Sequence, residues 1–135
     1  MIKRLKFCIV VNTNAHGNKK LLDQVIYLLK INHDVEVFES KSKNIAEEIF
    51  KNLSSKMFDR LVITGGDGSF NFAVNEILKY SSLNDKKIGY VPTGTANILQ
   101  IETQMQKNSE AIAKVLITGN TKKIRLAKIN NKFFF

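Results

Sequence analysis

Residues 61 to 78, LVITGGDGSFNFAVNEIL, set a short apolar run, a cluster of glycines and an amphipathic stretch in immediate succession. Leu61, Val62 and Ile63 form the kind of partly β-branched run that makes a buried strand, and it stops at Thr64, where Gly65-Gly66-Asp67-Gly68 begins. Beyond the glycines, Phe70, Ala73, Val74, Ile77 and Leu78 recur at helical spacing on one face. The segment therefore predicts strand, glycine turn and helix, with Ser69 placed to cap the helix. Glycine admits positive φ and a close approach of ligand to backbone, and the N–H groups that open a helix attract an anion. Three glycines around an aspartate at such a junction favour a phosphate site over a tight turn that merely needs glycine. Asp67 has two readings. It could face phosphate through a divalent metal or a water on that metal, or it could accept hydrogen bonds from its own turn.

The flanking sequence repeats the alternation. Leu5 to Val11 reads as a first buried strand, followed by the polar loop Asn12 to Asn18 and a helix from about Lys20 to Ile31 carrying Leu21, Leu22, Val25, Ile26 and Leu29. Val35 to Phe38 alternates as a strand does, and Ser40 to Ser42 opens a helix with Ile45, Ala46, Ile49, Phe50 and Leu53 on one side. Ile88 to Val91 is a further strand, running into Pro92-Thr93-Gly94-Thr95-Ala96-Asn97 and a short helical run, Ile98 to Ile101. Ser109 to Ile117 reads as another helix, ended by Gly119-Asn120.

Strand and helix in alternation predict an α/β domain, a parallel sheet with helices on both faces. Such sheets bind ligands at the carboxyl ends of their strands. The loops that start at Asn12, Ser40, Gly65 and Pro92 all follow strands, so they should share one edge and form a nucleotide-sized pocket. Asn12 and Gly17 could contribute a carboxamide and a flexible backbone there, or simply make a polar turn. His16 reads as an exposed loop residue. His33 falls at the opposite edge and receives no role.

The 135 residues, 44% of them hydrophobic, suit one domain with a real core. The apolar part of the N-terminus, Phe7 to Val11, is too short for a signal peptide, and no run is long enough to cross a bilayer, so the expected location is the cytoplasm. Cys8 is the only cysteine, in a predicted strand, which excludes an internal disulfide and a cysteine metal cluster. Twenty-one Lys and Arg against twelve Asp and Glu give +9, which suits anionic partners without choosing among them. The basic residues lack interleaved aromatics of the kind that stack bases, so no nucleic-acid partner is expected.

At the C-terminus, Lys123 to Ile129 is strand-like, Asn130-Asn131 signals a turn, and Phe133-Phe134-Phe135 begins a returning strand. Three terminal aromatics expose apolar surface and a sheet edge. The expectation is an N-terminal piece of a longer architecture, or an end covered by another chain, a second copy of this one included. The domain division expected is an α/β unit over 1–122 and the start of a β domain over 123–135.

Gly65-Gly66-Asp67-Gly68-Ser69 with Asn71 and Asn75 resembles the GGDGT-x-N-x-x-x-N signature of the diacylglycerol kinase catalytic domain, in the bacterial branch shared with sphingosine and ceramide kinases. Pro92-Thr93-Gly94-Thr95-Ala96-Asn97 is similar to that family's P-x-GT-x-N loop, and Asn12 with Gly17 resembles its N-P-x-x-G loop. The resemblance covers essentially the whole chain. GGDG alone is shared with phosphofructokinases and NAD kinases, and the later loop selects the lipid kinases.

The resemblance implies a domain that binds ATP and Mg²⁺. Asn12, Ser40, Gly65, Gly66, Asp67, Gly68, Ser69 and Thr95 would line the nucleotide site, Asn97 would lie close by, and Asp67 would be the catalytic and metal-binding residue. It also implies a lipid acceptor such as diacylglycerol at the inner membrane face, in phospholipid biosynthesis. Thr13 and Ser69 are mild departures from the family's proline and threonine; Phe72 stands where many members have glutamate. The family's C-terminal β-sandwich domain, which carries the catalytic base, further metal ligands and part of the lipid site, would follow this chain. Three functions are therefore open: a lipid kinase with this chain as its ATP-binding half, a non-catalytic nucleotide-binding remnant or subunit of a split kinase, and a soluble-substrate kinase of the NAD kinase or phosphofructokinase type.

Overall fold

The computed structural model describes residues 3–13, 17–94, 108–119, 121 and 126–134. Four parallel strands form its centre: β1 (Lys6–Asn12), β2 (Asp34–Ser40), β3 (Arg60–Gly65) and β4 (Lys87–Pro92), in the order β2-β1-β3-β4. Helix α1 (Lys19–Lys30) joins β1 to β2, α2 (Lys43–Leu53) joins β2 to β3, and α3 (Asp67–Ile77) with the short α4 (Ser81–Asn84) joins β3 to β4. Helix α5 (Ser109–Thr118) follows, ending at Gly119 in the left-handed conformation. The chain steps from β1 to β2 in one direction and from β2 across to β3 in the other. Right-handed crossovers then put α1 on one face of the sheet and α2 with α3 on the other.

That topology explains the unbroken apolar runs. Alternate residues of β1 serve opposite faces: Phe7 and Ile9 pack with α1 and α5 residues such as Val25, Leu29 and Ile112, whereas Cys8 and Val10 pack with Phe50 of α2 and Phe70 of α3. Strand β3 divides in the same way, Val62 to one side and Leu61 with Ile63 to the other. Strand β2, an edge of the sheet, is half-buried at Val35, Glu36 and Phe38 and exposed at Val37.

Two local expectations are corrected, and a third residue gains a structural part. Ser69 does not cap α3: the cap is Gly66, the helix starts at Asp67, and Ser69 sits inside the first turn. Ile45 is 42% exposed rather than packed, because the stripe α2 buries runs through Ala46, Phe50 and Leu53. His33 is buried at 2% exposure, its Nδ1 accepting the Leu5 N–H at 3.0 Å and its ring edge-on to Phe7.

A second, two-stranded antiparallel sheet pairs β5 (Ala127–Ile129) with β6 (Lys132–Phe134). Its turn holds Asn130 and Asn131 at φ 49° and 65°, the left-handed pair that a tight hairpin requires. The hairpin is fastened to α3. Asn75 Oδ1 accepts the Phe133 N–H at 2.8 Å while its Nδ2 donates to the Phe133 carbonyl at 2.9 Å, the two bonds a neighbouring strand would make.

Candidate functional site

The order β2-β1-β3-β4 reverses direction between β1 and β3, and the crevice beyond the carboxyl ends at such a switch point is where sheets of this kind take ligands. Asn12, the last residue of β1, reaches across it, its Nδ2 donating to Ser69 Oγ at 3.3 Å. Ser40, its register partner at the end of β2, is buried and donates its hydroxyl to the Ser42 carbonyl at 3.1 Å. The Ser40 carbonyl accepts both the N–H and the hydroxyl of Thr13, at 3.0 and 3.1 Å. Three loop ends far apart in sequence thus meet at one edge.

The glycine turn is built for this crossing. Gly65 has φ +125°, and a Cβ there would lie 2.8 Å from the Ser69 side chain. Its carbonyl accepts the Tyr90 hydroxyl at 2.8 Å and the N–H groups of Thr93 and Gly94 at 3.2 Å, so the turn after β3 is tied to the loop after β4. The loop after β1 is tied to that same segment, where Asn18 N–H donates to the Thr93 carbonyl at 2.9 Å and a Cβ on Gly17 would lie 2.6 Å from that oxygen.

Gly68 is different. A Cβ there would meet nothing within 4 Å, and its φ is not among the positive ones. Among the described residues no internal contact requires it to be glycine; its bare side faces the open crevice at the first turn of α3, which has no side-chain cap from them. The N–H groups of such a turn and the positive end of the helix dipole suit an anion.

A cavity of about 360 Å³ opens beside this turn. Asn12, Ser40, Gly68 and Ser69 line its polar side, and Val10, Ala46, Phe50 and Ile63 its apolar floor. Four of the residues expected at a nucleotide site are therefore brought together. Gly65 and Gly66 lie behind them as the turn and the helix cap. Asp67 is half-exposed in the first turn of α3, outside the cavity wall but near enough to Tyr90 that its charge adds to the effect of burial in raising that phenol's pKa. Thr95, Asn97 and His16 lie outside the described residues. Ser42, Lys43 and Phe72 also line the cavity, and Tyr90 and Thr93 brace its loops. Thr93 sits inside a loop the sequence marks, but nothing local announces the reach of the Tyr90 hydroxyl.

Fold and site together define an α/β domain with an anion-seeking glycine turn at the switch point of a parallel sheet. The model of the diacylglycerol kinase catalytic domain family matches residues 6–129, and the chain belongs to that family. It is 28% identical over 114 residues to a diacylglycerol kinase of Staphylococcus epidermidis, covering 84% of this chain and 35% of that protein. A Staphylococcus aureus diacylglycerol kinase is 27% identical over 116 residues, covering 86% and 36%. A crystal structure of a diacylglycerol kinase from Bacillus anthracis superposes with a TM-score of 0.80 at 22% identity, over 99% of this chain and 47% of that one. The chain thus spans about a third of the length of the curated relatives it matches.

Proposed function

We propose that this chain is the ATP-binding half of a diacylglycerol kinase-type lipid kinase, whose reaction moves the γ-phosphoryl group of ATP to a lipid hydroxyl such as that of diacylglycerol. The observation that carries this reading is Gly68: an uncapped helix start at the switch point, bare of Cβ, beside a cavity of about 360 Å³. Phosphoryl transfer asks a protein mainly for positioning and neutralisation of charge. In this reading the N–H groups of the first turn of α3 hold phosphate oxygens, and Asn12 with Ser69 sets the gap between β1 and α3.

The donor set fits Mg²⁺, an ion characteristically held by one or two carboxylates together with nucleotide phosphates. Asp67 is the carboxylate in the first turn of α3 and is the residue proposed to hold it; bound there, the ion would offset charge developing on the phosphates. The excess of basic residues would favour docking at an anionic membrane surface.

Calorimetry of the purified chain with Mg-ATP, with Asp67→Asn as control, tests the reading. Binding that needs both the metal and Asp67 is expected, with Asp67→Asn still folded. A folded chain that binds no Mg-ATP would remove the proposal.

The chain spans about a third of those relatives, and a second reading of these 135 residues by themselves is a nucleotide-binding subunit or remnant that does not turn over. The expected outcome is ATP affinity with at most a trace of lipid phosphorylation in a radiolabel transfer assay.

A further inference from the structure

Phe72 packs against the margin of the core and also lines the cavity beside Gly68, where the phosphate turn gives it no role. It is half-buried on α3, three residues beyond Ser69 and four beyond Gly68, hence on the same helical face. With them it walls the cavity, about 5.4 Å, or one turn, further along the helix. Lys43 Nζ, from the first residue of α2, lies over the ring at 5.7 Å from the centroid, and Lys43 lines the same cavity. Opposite lies the apolar floor of Val10, Ala46, Phe50 and Ile63. An aromatic face, an aliphatic floor and a phosphate-seeking turn are therefore continuous within one small cavity.

We propose that Phe72 is a specificity-determining residue on which the base of the nucleotide stacks, with Lys43 turning from the ring towards the anionic part of the same ligand. The inference rests on the nucleotide reading above and deepens it: the turn at Gly68 anchors phosphate, and Phe72 supplies the contact that separates a nucleotide from a bare polyphosphate.

The test is calorimetry of the full 135-residue chain with Mg-ATP and, separately, with magnesium tripolyphosphate, which has the phosphates but no base. Phe72→Leu keeps apolar bulk and removes the π-face; Phe72→Tyr keeps the face. Stacking predicts that Phe72→Leu weakens Mg-ATP about tenfold, leaves tripolyphosphate unchanged, and that Phe72→Tyr retains wild-type affinity for both. Equal losses for the two ligands, or no loss for Mg-ATP, would overturn the stacking role. Wild-type protein that binds tripolyphosphate as tightly as Mg-ATP would overturn it too, with the phosphate turn left standing. A folded wild-type chain that binds neither ligand would defeat the nucleotide reading, and this inference with it.

Discussion

Two glycines three residues apart in the same turn are held for opposite reasons. Gly65 is demanded by the fold, since φ +125° and a Cβ 2.8 Å from Ser69 leave no room for alanine; Gly65→Ala should destabilise by about 1–3 kcal/mol in urea unfolding. Gly68 is demanded by nothing within 4 Å among the described residues and lies in a helix, where alanine is better than glycine by up to about 1 kcal/mol. Gly68→Ala should therefore raise the urea midpoint slightly while weakening Mg-ATP. A variant that gains stability and loses ligand would separate the site from the scaffold; unchanged affinity would move the phosphates elsewhere. Cys8 carries a pH signature. Burial, with the Glu36 charge adding to it, pushes its thiol from 9.0 to about 11. Its proton is thus held by the folded chain after the unfolded chain has released it. The contribution to stability is complete below pH 9.0 and is lost as pH rises towards about 11, with a slope of up to about 1.4 kcal/mol per pH unit. Urea midpoints of Cys8→Ala should fall less steeply over that alkaline window than those of the wild type.

Helix α3 is the element that does two jobs. Its first turn faces the crevice, and its last turns hold β6 through Asn75. Asn75→Ala removes both bonds to Phe133, so hydrogen exchange at the Phe133 amide should speed up by about tenfold, at about 1 kcal/mol for a lost bond, while Mg-ATP affinity stays as it was. Elements of this kind were legible in the sequence because their signals are local: the runs at Leu61 to Ile63 and Leu5 to Val11 give both strands, and Asn130-Asn131 gives the hairpin turn. Helix α3 starts about one turn before Ser69, because Gly65 turns the chain at φ +125° and Gly66, extended, serves as the cap ahead of it. What remained hidden is pairing at long range. The Asn12 to Ser69 contact spans 57 residues, and the bond from Leu5 to His33 spans 28. No window of sequence records either, so His33 had no role until the strands were laid side by side.

For the whole molecule, the legible part of the site was its edge, since a parallel alternation puts every strand-following loop on one side. The order of the strands decides which of those loops face each other, and that is a property of the assembled sheet. The net charge of +9 is likewise a global property: cosedimentation with vesicles rich in anionic phospholipid should occur at low salt and disappear at high salt. Neutral vesicles that bind equally well would point to apolar insertion instead. Time enters through the clasp on Phe133. It joins residues 58 apart, and β6 leaves the ribosome after all four parallel strands, where synthesis and folding proceed from the N-terminus. All four parallel strands and the turn at Gly68 have been made by then. The crevice beside Gly68 can therefore take shape on a nascent chain before the hairpin is in place.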